Sequence, residues 1–201
     1  MLTDIATELS VFIQKSQIYL VPWGYALGIL WAINIINWLT GSKLNILGIY
    51  PRHLFGLPGI IFSPLLHYDF NHLFFNSIPL FVLGLVILTR DVQTFYWVTT
   101  VIVLLGGFAV WLFGRKAIHI GASGLISGYF GYIIATAYLQ PGIISVLLAG
   151  LVIYYFGSIF LGVFPQEEQV SWESHLLGFL SGIAAAFLKP QMVETLLMHF
   201  K

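Results

Sequence analysis

Residues 123–161 read SGLISGYFGYIIATAYL, then QP, then GIISVLLAGLVIYYFGSIFL, with no Asp, Glu, Lys or Arg anywhere in the stretch. Each apolar run is close to the roughly 20 residues that a helix needs to cross a bilayer core. Gln140-Pro141 leaves room only for a tight turn, so the two runs read as an antiparallel pair. Neither run alternates as a strand of a lipid-facing barrel would. A helix satisfies its own backbone hydrogen bonds in lipid, which makes helices the physical reading.

The same criterion, applied outward, gives six apolar stretches: 19–39, 72–88, 95–113, 123–139, 142–161 and 172–188. Trp and Tyr sit near several of their ends, at Tyr19, Trp23, Trp38, Tyr96 and Trp172, as interfacial belts do. Composition agrees. Of 201 residues 59% are hydrophobic and only 8% charged, against about 25% charged in soluble domains. So few charges cannot supply a polar skin, which excludes a water-soluble enzyme or a nucleic-acid binder. Eight Lys and Arg balance eight Asp and Glu, so no polyanionic partner is indicated. With no cysteine there are no disulfides, no thiolate metal sites and no Cys nucleophile. No metal or organic cofactor is implied.

The expected fold is all-α: a polytopic bundle of six transmembrane helices forming one membrane domain over 1–201. Residues 1–18 carry a helical stripe (Leu2, Ile5, Leu9, Phe12, Ile13) and read as an interfacial segment. Residues 19–188 are the core and 189–201 a tail. Asp4 and Glu8 argue against a signal peptide. Residues 41–71 are long, apolar and broken by Pro and Gly, so they are expected to lie in the interface. Orientation does not follow from charge: Lys15, Arg90, Lys189 and Lys201 on one side tie with Lys43, Arg52, Arg115 and Lys116 on the other.

Polar side chains inside a span are functional candidates. His72 and Asn76 share one face of the second span, four residues apart. They are either oxyanion donors or hydrogen-bonding glue between helices. Gly121-Ala122-Ser123-Gly124 opens the fourth span. A Ser between small residues at a helix start leaves its hydroxyl approachable, among first-turn N–H groups that lack partners. Gly124, Gly128, Gly131 and Ala135 form one stripe, which packing alone also explains. In the sixth span Ser171, His175, Gly178, Gly182 and Ala186 line one face. If the two small stripes pack, His175 approaches Ser123. No Asp lies within a span, and Glu173 faces away from His175 on a helix, so the implied chemistry is a Ser–His dyad.

At these residues the sequence resembles the rhomboid family of intramembrane serine proteases. The likeness covers about residues 50–188 and rests on HLFFN at 72–76, GASG at 121–124 and HLLGFLSG at 175–182, in that order on spans two, four and six. The resemblance implies Ser123 as nucleophile and His175 as general base. It implies an oxyanion hole of the Ser123 N–H, His72 and Asn76. Gly121 and Gly124 would shape the nucleophile loop, and Gly128, Gly178 and Gly182 would permit close helix packing. Residues 162–171 would cap the site and span five would be the mobile side. The substrate would be a transmembrane protein segment, within the lipid bilayer of a prokaryotic plasma membrane. The alternative is a catalytically inactive rhomboid-like protein that binds membrane clients. Two departures stand out. Pro51-Arg52-His53 occupies a region where some members carry Trp-Arg, and Ser127 replaces a common aromatic one turn after the nucleophile. Ser127 is therefore a candidate to hydrogen-bond His175, and His67 a candidate to orient the first loop.

Overall fold

A computed structural model describes residues 2–158, 164 and 171–188. It is all-helical among those residues. The long helices are α1 (Leu2–Leu39), α2 (Phe70–Leu88), α3 (Val92–Phe113), α4 (Ser123–Leu139), α5 (Ile143–Phe156) and α6 (Trp172–Phe187). Among the described residues three helical stretches are long and apolar enough to cross a membrane: Ile5–Leu39, Phe70–Leu88 and Val92–Phe113. The expected cap at 162–171, the end of span five and the 189–201 tail lie largely outside the described residues.

The boundaries have local causes. Asp69 caps α2 by accepting from the His72 N–H at 2.8 Å, and Asp91 caps α3 by accepting from the Thr94 N–H. Ser171 caps α6 in the same way. Each supplies a side-chain oxygen to a donor that the first turn leaves unpaired. α1 differs from expectation. No separate interfacial segment ends at residue 18, and one helix runs from Leu2 to Leu39 with Pro22 inside it. Pro22 forfeits one backbone donor but does not end the helix. Within α3, Ile102–Gly106 wind as a π-helix, a local widening that sequence periodicity does not announce.

The core sits between α4 and α6, closed by α2 and α3. Their approach is backbone to backbone. A Cβ on Gly182 would collide with the Gly128 carbonyl, and one on Gly178 with the Gly124 carbonyl. Tyr129, Tyr132, Leu83, Ile87 and Val98 fill the space around this seam and are almost fully buried. α1 packs on α2 through Trp23, whose Nε1 donates to Phe81 O at 3.0 Å, and Trp31, whose Nε1 donates to Ser77 Oγ at 3.0 Å.

Residues 40–69 form a chain of short helical turns joined by backbone bonds to the loop after α3. Ile49 and His119 exchange both N–H···O bonds, and Gly121 N–H donates to Ser63 O at 2.9 Å. Arg52 Nη1 donates to the Leu112 and Gly114 carbonyls at 3.0 and 2.9 Å, completing the end of α3. Leu54, Phe55, Ile46 and Ile61 remain exposed along this segment, as do Tyr25, Ile29 and Leu39 on α1. Apolar surface of this extent does not face water in a stable monomer. Lipid is its natural solvent.

Candidate active site

The loop after α3 brings Gly121 to the start of α4 at a φ of 121°, where a side chain is strained. The space is also taken: a Cβ there would stand 2.7 Å from the His72 ring and 3.7 Å from Asn76 Nδ2. Glycine at 121 thus lets the nucleophile loop pass directly over the two polar side chains of α2. Gly124 meets the Ser174 carbonyl of α6 less tightly, its Cβ position lying 3.1 Å away.

These approaches leave one cavity of about 610 Å³ lined by Ser123, His175, His72, Asn76, Tyr68, Asp69, Arg115, His119 and Ser171, among others. Ser123 is the first residue of α4, beside N–H groups that the helix does not use. Asn76 Nδ2 is buried and makes no hydrogen bond. Such an unmet donor is costly in a resting fold and is available to an acceptor entering the cavity. A smaller void of about 40 Å³, with room for a water or two, adjoins Ser123, Gly124, Ser63, His119 and Ser174.

His67 lies fully buried below this loop. Its Nε2 accepts from the Ala122 N–H at 3.3 Å, which places the ring proton on Nδ1. Its own backbone is held twice, by Asn34 Oδ1 at 2.7 Å and by Trp38 Nε1 at 3.0 Å. Burial, and secondarily the neighbouring His72, lower its pKa to about 3, so it stays neutral. A path of bonded groups therefore runs from α1 through His67 to the residue before Ser123. Asn34 and Asn37 were not among the sequence candidates, although both are polar, fully buried and set in the first span; their polarity within an apolar run was the available signal.

Ser127 is buried and its Oγ has no hydrogen-bond partner. The bond to His175 anticipated from its spacing is not formed. Glu173 turns away from the cavity centre as the helical spacing requires. Its Oε1 lies 3.7 Å from Arg115 Nε and accepts from the Arg115 N–H at 3.4 Å. His119, which carried no role in the sequence reading, lines the cavity with both ring nitrogens bonded. Among the described residues no group of three His, Asp or Glu side chains is placed to hold a metal.

The family model for the Rhomboid domain matches residues 55–191. The chain belongs to the rhomboid family. An uncharacterized protein of Mycobacterium tuberculosis and one of Mycobacterium bovis are each 37% identical to it over 169 residues, covering 80% of this chain and 70% of the relative. An uncharacterized protein of Mycobacterium leprae is 35% identical over 172 residues, covering 81% and 68%. This rhomboid protein is accordingly a multi-pass membrane protein with bacterial relatives, in a family of intramembrane proteases. The family match includes all three motifs at 72–76, 121–124 and 175–182.

Proposed function

We propose that this rhomboid is an intramembrane serine endopeptidase with six membrane spans, in a prokaryotic plasma membrane, cutting transmembrane segments of other membrane proteins through a Ser123–His175 dyad. The observation that carries the reading is the single cavity that Ser123, His175, His72 and Asn76 line together. Ser123 Oγ attacks the scissile carbonyl while His175 takes its proton and later gives it to the leaving amine. Negative charge then develops on the carbonyl oxygen. The unpaired Asn76 amide, the His72 ring and the Ser123 N–H at the start of α4 are the donors suited to it. His175 next takes a proton from water as the water oxygen attacks the acyl-enzyme carbonyl, and it returns that proton to Ser123 Oγ as the ester bond breaks and the carboxylic acid product leaves.

The substrate must present an extended carbonyl, because a helical backbone is already self-bonded. Kinship with the rhomboid family further implies small side chains at the cut and helix-weakening residues beyond it. The test is labelling of the detergent-purified protein with a fluorophosphonate, beside Ser123→Ala and His175→Ala. Labelling lost in both variants supports the dyad. Equal labelling of wild type and Ser123→Ala overturns it. A folded wild type that neither labels nor cleaves favours the inactive, client-binding alternative.

A further inference from the structure

The first turn of α6 is tied to the nucleophile loop by side chains outside the dyad. His119 Nε2 lies 3.0 Å from the Arg115 carbonyl and His119 Nδ1 lies 2.6 Å from Ser171 Oγ. A carbonyl only accepts, so Nε2 carries the proton. In the neutral ring Nδ1 then accepts from the Ser171 hydroxyl. Burial lowers the His119 pKa, in keeping with that neutral form. Ser171 Oγ lies 2.7 Å from Ser174 Oγ and accepts from the Ser174 N–H at 3.4 Å. The Ser171 carbonyl accepts from the His175 N–H at 3.3 Å. His119 is itself held by its backbone exchange with Ile49 and stands two residues before Gly121.

An N-cap serine ordinarily serves only its own helix. Here the cap is also bonded to a residue 52 positions earlier, on the loop that delivers Ser123. The glycine seam sets the distance between α4 and α6 further along, at Gly178 and Gly182. At the first turn, where His175 sits, the seam contributes the approach of Gly124 to the Ser174 carbonyl, a contact that limits distance but makes no directional bond. With both ring nitrogens engaged, His119 is not a second base.

We propose that His119 is a positioning residue: through Ser171 and Ser174 it fixes the first turn of α6, and with it the His175 ring, against the loop carrying Ser123. The inference rests on the protease reading for its effect on turnover, but the clamp can be tested without it.

The experiment compares wild type, His119→Ala, His119→Asn, Ser171→Ala and the His119→Ala/Ser171→Ala double variant in detergent. The Asn carboxamide stands where Nδ1 stood and can still accept from Ser171. Two readouts are taken: cleavage of a transmembrane substrate, and the ring-nitrogen NMR resonances of His175 in protein carrying ¹⁵N-histidine. His119→Ala is expected to lower kcat about 10- to 100-fold, the scale of a displaced reacting group, with KM little changed. The His175 resonances should shift in both Ala variants. His119→Asn should restore both readouts in large part, and the double variant should lose no more than the worse single one. Unmoved His175 resonances in folded His119→Ala or Ser171→Ala overturn the clamp, as does additivity in the double variant. If wild type shows no Ser123-dependent cleavage, the protease reading fails, while the His175 resonances still decide the clamp.

Discussion

Helices α4 and α5 follow one another across a three-residue turn and are equally free of charge, yet they sit in opposite surroundings. α4 is buried from Ile126 through Ile133, whereas α5 turns only Ala149 and Val152 fully inward and leaves Tyr154 and Tyr155 exposed. Hydropathy cannot separate them, because lipid is as apolar as a protein core. The difference lies in the glycines. Gly124 and Gly131 of α4 meet α6 backbone directly, and the Gly128 carbonyl receives Gly182, while a Cβ on Gly150 of α5 would meet nothing within 4 Å. In a bilayer, small residues at helical spacing mark the faces where helices touch, because close van der Waals packing replaces the hydrophobic drive. The tight pair carries Ser123 and His175. On the protease reading proposed above, the loose helix is the side on which a substrate segment approaches.

The harshest challenge to this contrast is Gly182→Ala. The obstacle is a backbone carbonyl, which no rotamer change can move aside. Overpacking typically costs about 1–3 kcal/mol and occasionally more, and here we expect about 3 kcal/mol or above, with probe labelling and cleavage lost together. Thermal unfolding in detergent followed by Trp fluorescence checks it. A Gly182→Ala protein that keeps its Tm and its activity would mean that the seam is looser than drawn.

Asn76→Ala separates chemistry from packing within the tight region. Asn76 Nδ2 makes no hydrogen bond in the resting protein, so its loss should leave Tm nearly unchanged. Removing one oxyanion donor typically lowers kcat about 10²- to 10³-fold. If instead Tm falls and kcat per folded molecule holds, the pair His72 and Asn76 is helix glue rather than oxyanion machinery.

Much of this was open to a reader of the sequence because lipid imposes simple rules. Uncharged runs had to be helices, small stripes at 124–135 and 178–186 had to be contact faces, and His72, Asn76, Ser123 and His175 were polar where polarity is expensive. The parts that stayed hidden depend on long-range contacts. His119 and Ser171 sit in short polar segments where a His or Ser is unremarkable, and only folding brings their side chains to 2.6 Å. Ser127 shows the converse: one turn from Ser123 in sequence, its hydroxyl points into the packed interior and bonds to nothing. The unbroken α1 was hidden because Asp4, Glu8 and Lys15 set residues 1–18 apart from the apolar run that follows, yet one helix carries both, and the donor missing at Pro22 is tolerated in a helix packed by Trp23 and Trp31.

The tight region should also be the acid-sensitive one. His67 is neutral in the fold down to about pH 3, whereas an unfolded imidazole takes up its proton near 6.5. Below about pH 6.5 the unfolded state therefore binds more protons, and stability falls as pH falls, by up to about 1.4 kcal/mol per unit from this group. Above pH 6.5 His67 adds no pH dependence. His67→Gln keeps an acceptor for the Ala122 N–H without a titrating ring, so its Tm should vary less between pH 6.5 and 5 than that of wild type. Parallel slopes in the two proteins would show that His67 is not the group being titrated.

The smallest expected effect is the most telling about α5. Gly150 lies within the helix with no neighbour at its Cβ position. Gly150→Ala therefore removes backbone freedom and adds a methyl group only to lipid-facing space, so stability should change by no more than about 1 kcal/mol. Any shift should be upward, since Ala is the better helix former, and cleavage should be retained. The informative failure is a loss of activity at unchanged Tm. A methyl group that does not disturb the fold but blocks turnover would place Gly150 against the substrate, turning the loose side of the molecule from a bystander into part of the binding surface.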